Sequence, residues 1–87
     1  MYLHLGQSVV VHQKDIIGIF DLDNTSSSLR TRKFLEQAEK EGRVIVVTDD
    51  LPKSFVICKN KSGQDIVYLS QLSSATLRGR AENNSFE

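Results

Sequence analysis

Two carboxylates, Asp21 and Asp23, stand two residues apart in the stretch Ile19-Phe20-Asp21-Leu22-Asp23-Asn24-Thr25. At a strand end, carboxylates so spaced can share a magnesium ion and a phosphoryl group, one attacking phosphorus and the other moving a proton. A second apolar stretch, Val44-Ile45-Val46-Val47-Thr48, ends in a hydroxyl residue. His4 and His12 fall on neighbouring predicted strands and could face each other, but two histidines without a third placed ligand imply no metal site. Cys58, within Phe55-Val56-Ile57-Cys58, reads as a small buried hydrophobe, since no histidine is placed to activate it as a nucleophile. There is no glycine-rich phosphate loop, and no cofactor is implied.

These side chains depend on the elements that hold them. The N-terminal quarter reads as three strands: Tyr2 to Leu5, then Ser8 to His12 after the turn signal Gly6-Gln7, then Ile16 to Asp21 after the polar turn Gln13-Lys14-Asp15. Links this short make the three strands largely antiparallel, because a parallel return needs a long crossover. Gly18 inside the third strand signals a bulge or a close backbone approach. Asp23 to Ser28 is a loop rich in helix-capping residues. A helix is predicted from about Ser28 to Glu41, with Phe34, Leu35 and Ala38 on one face beside Thr31, a Glu36–Lys40 pair, and Gly42 just past its end. Arg43 to Thr48 is a fourth strand whose continuous apolar run predicts burial on both faces. Ser54 to Lys59 and Asp65 to Ser70 are the fifth and sixth. Leu72 to Ala81 is a short helix capped by Ser73 or Ser74, followed by a frayed tail. The expected architecture is α+β in the order βββαβββα. It has a small, mostly antiparallel sheet or sheets, one longer helix packed on the sheet, and a short C-terminal helix. Residues 1–81 form one domain and residues 82–87 a flexible tail.

The two motifs resemble the first and second motifs of the haloacid-dehalogenase-like phosphatases, and that resemblance implies a magnesium phosphatase using Asp21 and Asp23. The element order argues against it. That fold is a parallel, doubly wound sheet whose first motif ends a central strand. Here the strand follows two others through links too short for crossovers. Only 39 residues follow Thr48, and Lys53 and Asp65 would have to complete the catalytic set from adjoining hairpin strands. Asp21 and Asp23 instead read as the end of a strand opening into a turn.

Eighty-seven residues make one small domain. Eleven Lys and Arg balance eleven Asp and Glu, so the net charge is zero and a charge-driven polycation is excluded. Apolar runs are no longer than Val44–Val47, so none can span a bilayer. The start, Met1-Tyr2-Leu3-His4, lacks the pattern of a secretory signal, and the lone Cys58 has no disulfide partner in the chain. A cytoplasmic protein with no membrane partner is expected.

Within the neutral chain the cations are unevenly placed. Arg30, Arg32 and Lys33 crowd the first turns of the long helix, the end where the helix dipole is already positive. From Leu51 to Ala81 there are five basic residues, Lys53, Lys59, Lys61, Arg78 and Arg80, against one acid, Asp65. Such patches are either solvated faces or collective phosphate contacts.

The whole chain resembles the small bacterial extracellular-matrix regulators of the Rem family, and within it the RemB-like branch. The resemblance is carried by Met1-Tyr2-Leu3-His4-Leu5-Gly6, Asp15-Ile16-Ile17-Gly18-Ile19-Phe20-Asp21, Pro52-Lys53-Ser54, and Leu72-Ser73-Ser74-Ala75-Thr76-Leu77-Arg78-Gly79-Arg80-Ala81. It implies a non-enzymatic, DNA-associated regulator of matrix and biofilm genes, working as a ring-like homo-oligomer. In the RemA branch an arginine pair lies in the turn before the fifth strand. Here that turn reads Asp49-Asp50-Leu51-Pro52-Lys53, and only Lys53 keeps a positive charge. Another basic position of that branch falls at Lys14-Asp15, and its Lys-Arg helix pair falls at Arg32-Lys33. The resemblance thus implies DNA contact through Lys53 first, then Arg32, Lys33 and Lys14. Asp49 and Asp50 would repel phosphate, which favours an alternative: a protein-interaction module that partners a related DNA-binding regulator without touching DNA.

Overall fold

The computed structural model describes residues 2–7, 9–22 and 29–82, the last two by backbone alone. The capping loop at 23–28, with Asp23, and the tail at 83–87 lie outside the described residues. The chain forms β1 (Tyr2–Gly6), β2 (Val9–His12), a 3-10 turn (Gln13–Asp15), β3 (Ile16–Asp21), α1 (Leu29–Lys40), β4 (Val44–Val46), β5 (Ser54–Lys59), β6 (Asp65–Ser70) and α2 (Ser74–Glu82). The fold is α+β in the expected order βββαβββα.

The sheets are a β1–β2 hairpin and a four-stranded sheet in the order β3-β5-β6-β4, with only the β4–β6 pair parallel. Of the sheet or sheets expected there are two, and β2 and β3 fall in different ones. The 3-10 turn redirects the chain, and β3 pairs antiparallel with the distant β5. Short links forbid a parallel return, but they do not oblige neighbours to pair.

Three layers result. Central β5 alternates its side chains between two cores, as a strand of period two must. Phe55 and Ile57 meet Phe34, Leu35 and Ala38 of α1 on one face. Val56 and Cys58 meet Leu3, Leu5 and Val11 of the hairpin and Leu77 of α2 on the other. The hairpin obeys the same period: Leu3 and Leu5 are buried while Tyr2 and His4 are exposed. Its turn uses Gly6 at φ +135° and Gln7 at φ +47°.

The helix ends are well specified. Gly42 (φ +73°) donates to the Glu39 carbonyl at 3.1 Å while Arg43 N–H reaches the Ala38 carbonyl at 2.8 Å, which closes α1 in a Schellman motif. Ser73 Oγ accepts the Thr76 N–H at 3.1 Å and so caps α2. The expected Glu36–Lys40 ion pair is not among those of the described residues; Gln37 bonds Glu41 instead, at 2.6 Å.

The fourth strand also departs from expectation. It is three residues long, with Ile45 42 % and Val46 59 % exposed, not buried on both faces. It lies at the sheet edge, so only Val44 packs against the α1 core, and the buried Val47 and Thr48 follow after the strand has ended.

Two features fix the sheet locally. Ser54 and Ser70 lie opposite each other across β5 and β6, both fully buried. Ser54 Oγ donates to the Leu72 carbonyl, and Ser70 Oγ donates to the Leu5 carbonyl, both at 2.7 Å, so each hydroxyl is satisfied. Gly18 sits at the bulge of β3, where an added Cβ would lie 2.6 Å from the Phe20 ring. That ring is stacked on Phe55 at 5.0 Å, so making room for a Cβ disturbs the stack. Gly18→Ala should therefore destabilise the fold by about 1–3 kcal/mol. Urea unfolding checks this, and an unchanged midpoint would show that Phe20 moves aside freely.

Candidate nucleic-acid interface

Lys53 projects from the turn into β5. Its backbone is pinned on both sides, N–H to the Ser70 carbonyl at 2.8 Å and carbonyl to the Leu22 N–H at 3.0 Å, while its side chain is exposed. Arg32 lines a depression between α1 and the sheet together with Leu22, Leu35 and Pro52, so the start of α1 lies beside the turn that carries Lys53. Arg30 and Lys33 are exposed on the same turns of α1, and that first turn holds no acidic residue. Among the described residues neither these four cations nor Lys14 forms an ion pair.

Lys14 lies elsewhere. It precedes Ile16, which pairs with Cys58, whereas Lys53 precedes Ser54, which pairs with Asp21. The two lysines therefore mark opposite ends of the β3–β5 ladder, about 15–20 Å apart at strand spacing. The structure brings Lys53, Arg32 and Lys33 to one end of the domain and leaves Lys14 at the other.

The acidic turn is held in place at the Lys53 end. Thr48 Oγ1 donates to Gln71 Oε1 at 2.6 Å and accepts the Asp50 N–H at 2.9 Å. Asp50, Leu51, Lys53, Gln71 and Leu72 line one shallow cavity there.

Most of the other cations are already engaged. Arg43 bonds Glu41 and the Asp65 carbonyl, both at 2.7 Å, and Lys59 pairs with Asp65 at 3.1 Å. Arg78 donates to the Ile19 carbonyl at 2.7 Å and Arg80 to the His4 carbonyl at 3.3 Å. Hydrogen bonds from Gln37 and Arg43 hold the Glu41 carboxyl below the usual carboxylate range. Of the second half's five cations, only Lys59 meets a carboxylate among the described residues; Arg78 and Arg80 tie elements together through neutral carbonyls and keep their charge, which composition alone could not reveal.

The remaining chemistry-bearing residues do not converge. Asp21 ends β3, an edge strand antiparallel to β5, where the phosphatase motif would end a central parallel strand. His4 pairs with Val10 and His12 with Tyr2, so the histidines share a face without standing opposite each other. His12 packs its ring against Tyr2 at 4.2 Å, and His4 Nε2 bonds the Gln7 carbonyl at 2.6 Å. Burial, with Asp15 nearby, pushes the Cys58 thiol up to about 11, so it packs and does not react. No cluster of three metal-ligating side chains occurs among the described residues.

The molecule is thus a small three-layered α+β domain that, among the described residues, carries its unpaired charges on exposed turns and in shallow surface depressions. Its sequence matches the RemA-like family, described as Extracellular matrix regulatory protein A-like, over residues 2–81, and the chain belongs to that family. It is similar to Extracellular matrix regulatory protein B of Bacillus subtilis (strain 168), with 37 % identity over 82 residues, covering 94 % of this chain and 91 % of that protein.

Proposed function

We propose that this chain is a non-enzymatic regulator of bacterial extracellular-matrix and biofilm genes. It acts in the cytoplasm, and a ring-like homo-oligomer of it contacts DNA phosphate through repeated basic residues. The observation that carries this reading is the cationic start of α1, where Arg30, Arg32 and Lys33 are exposed and form no ion pair among the described residues, with Arg32 beside the turn of Lys53, in a chain of zero net charge. A charge cluster on a positive helix end is mildly unfavourable by itself and is relieved by a bound anion. One such patch per subunit is weak, and a ring repeats it, so contacts add through effective concentration. The exposed Ile45 and Val46 on the edge strand β4 support self-association. Among the described residues no helix is long and apolar enough to cross a membrane.

The test is fluorescence anisotropy on a duplex containing a matrix-gene promoter. Affinity should fall by roughly 100-fold or more between 50 and 200 mM salt, as contact with several phosphates requires. Arg32→Ala with Lys33→Ala should reduce the salt slope by about two for each subunit in contact with the duplex. Affinity independent of salt would overturn the mechanism, and a monomer in light scattering at micromolar concentration would overturn the ring.

The anchored Asp49-Asp50 turn beside Lys53 favours a second reading, the interaction module. It predicts no DNA retention by the chain alone and a stoichiometric complex with a basic, DNA-binding relative.

A further inference from the structure

A half-open depression of about 590 Å³ lies on the outer face of the hairpin, away from the α1 layer. It is lined by Tyr2, Leu3, His4, Val10 and Arg80. Its chemistry is one-sided. Tyr2 and Val10 offer aromatic and aliphatic surface that is half exposed, 54 % and 50 %. Arg80 supplies a cation, and among the described residues no carboxylate lines the cavity. The Arg80 guanidinium is already oriented by its bond to the His4 carbonyl at 3.3 Å, which occupies one of its five N–H donors. Tyr2 is steadied by its ring contact with His12 at 4.2 Å. An exposed aromatic ring beside a positioned guanidinium, with no opposing charge among the described residues, suits a ligand that joins a planar ring to an anion. The volume lies in the range of small-molecule sites.

We propose that the outer face of the hairpin binds a mononucleotide, its base stacked on Tyr2 over Val10 and its phosphate held by Arg80. The site is independent of the DNA reading, because Arg32 and Lys33 lie on the opposite layer. With one stacking face and one fixed cation, affinity falls on the order of 0.1–1 mM.

AMP and GMP titrated against the ¹⁵N-labelled full chain provide the test. Saturable shifts are expected in the amides of β1, β2 and Arg80. Tyr2→Ala and Arg80→Gln should each weaken binding about tenfold, and Tyr2→Phe should retain it. Both positions are exposed, and an unchanged spectrum elsewhere confirms that the variants fold. Arg32→Ala should leave the titration as in the parent chain, so failure of the DNA reading leaves this result standing. The proposal is overturned if no shift saturates by 10 mM, or if inorganic phosphate alone reproduces the shifts. It is equally overturned if Tyr2→Ala binds like the parent, or if Arg32→Ala weakens binding as much as Arg80→Gln.

Discussion

Leu77→Ala should cost about 2–5 kcal/mol, a large part of the roughly 4–13 kcal/mol available to a domain of this size. Leu77 is fully buried, and it is the one large apolar side chain that α2 buries among the described residues. It enters the cluster formed by Leu3, Leu5, Val11, Val47, Val56 and Cys58, which joins the hairpin to the four-stranded sheet. Truncation leaves a cavity bordered by both sheets and removes the main hold on the helix. Leu77→Met keeps most of the volume and should cost less than about 1.5 kcal/mol. Chemical denaturation of the two variants side by side checks the difference. A loss below about 1 kcal/mol for the alanine variant would mean that α2 is seated by its arginine–carbonyl bonds and not by packing.

Asp49→Asn with Asp50→Asn should tighten DNA binding roughly tenfold at low salt. Both side chains are exposed, in a turn fixed beside Lys53. A unit charge a few ångströms from phosphate costs about 1 kcal/mol in water, and about 1.4 kcal/mol is tenfold in affinity. The bond that anchors the turn uses the Asp50 backbone N–H, which asparagine keeps, so stability should hold. The gain should shrink as salt rises, because exposed charges are screened. Lys53→Ala should move affinity the other way in the same anisotropy assay. A double variant that binds no better than the parent would place the DNA contact on α1 away from this turn.

Much of the fold was legible because local chemistry declares itself. The bounds of β3, β5 and β6 follow from β-branched and aromatic runs closed by polar turns. Gly42 marked the end of α1 through its left-handed conformation. Pairing was less legible, since an extended segment does not name its partner. The same residues that make β3 a strand also fit a three-stranded meander. Likewise Val44-Ile45-Val46-Val47 reads alike at a sheet edge or centre, and only the topology exposes Ile45 and Val46. For the site, the α1 cluster was visible in the sequence, whereas the separation of Lys14 from Lys53 depends on the β3–β5 register. The cavity between the hairpin and Arg80 joins residues from the two ends of the described chain, and no local pattern marks such a meeting.

The seat of the hairpin has a consequence for how the chain is made. Ser70 reaches Leu5 across 65 positions, and Arg80 reaches His4 across 76. The first strands of the domain therefore lie on a surface built from its last elements. A two-stranded hairpin is marginal in water by itself, so Leu3, Leu5 and Val11 have no lasting shelter until β6 and α2 have left the ribosome. Contacts this distant in sequence also slow the closing step of folding. The domain completes its core after nearly all of it has emerged, and until then the nascent chain presents its N-terminal apolar residues to chaperones.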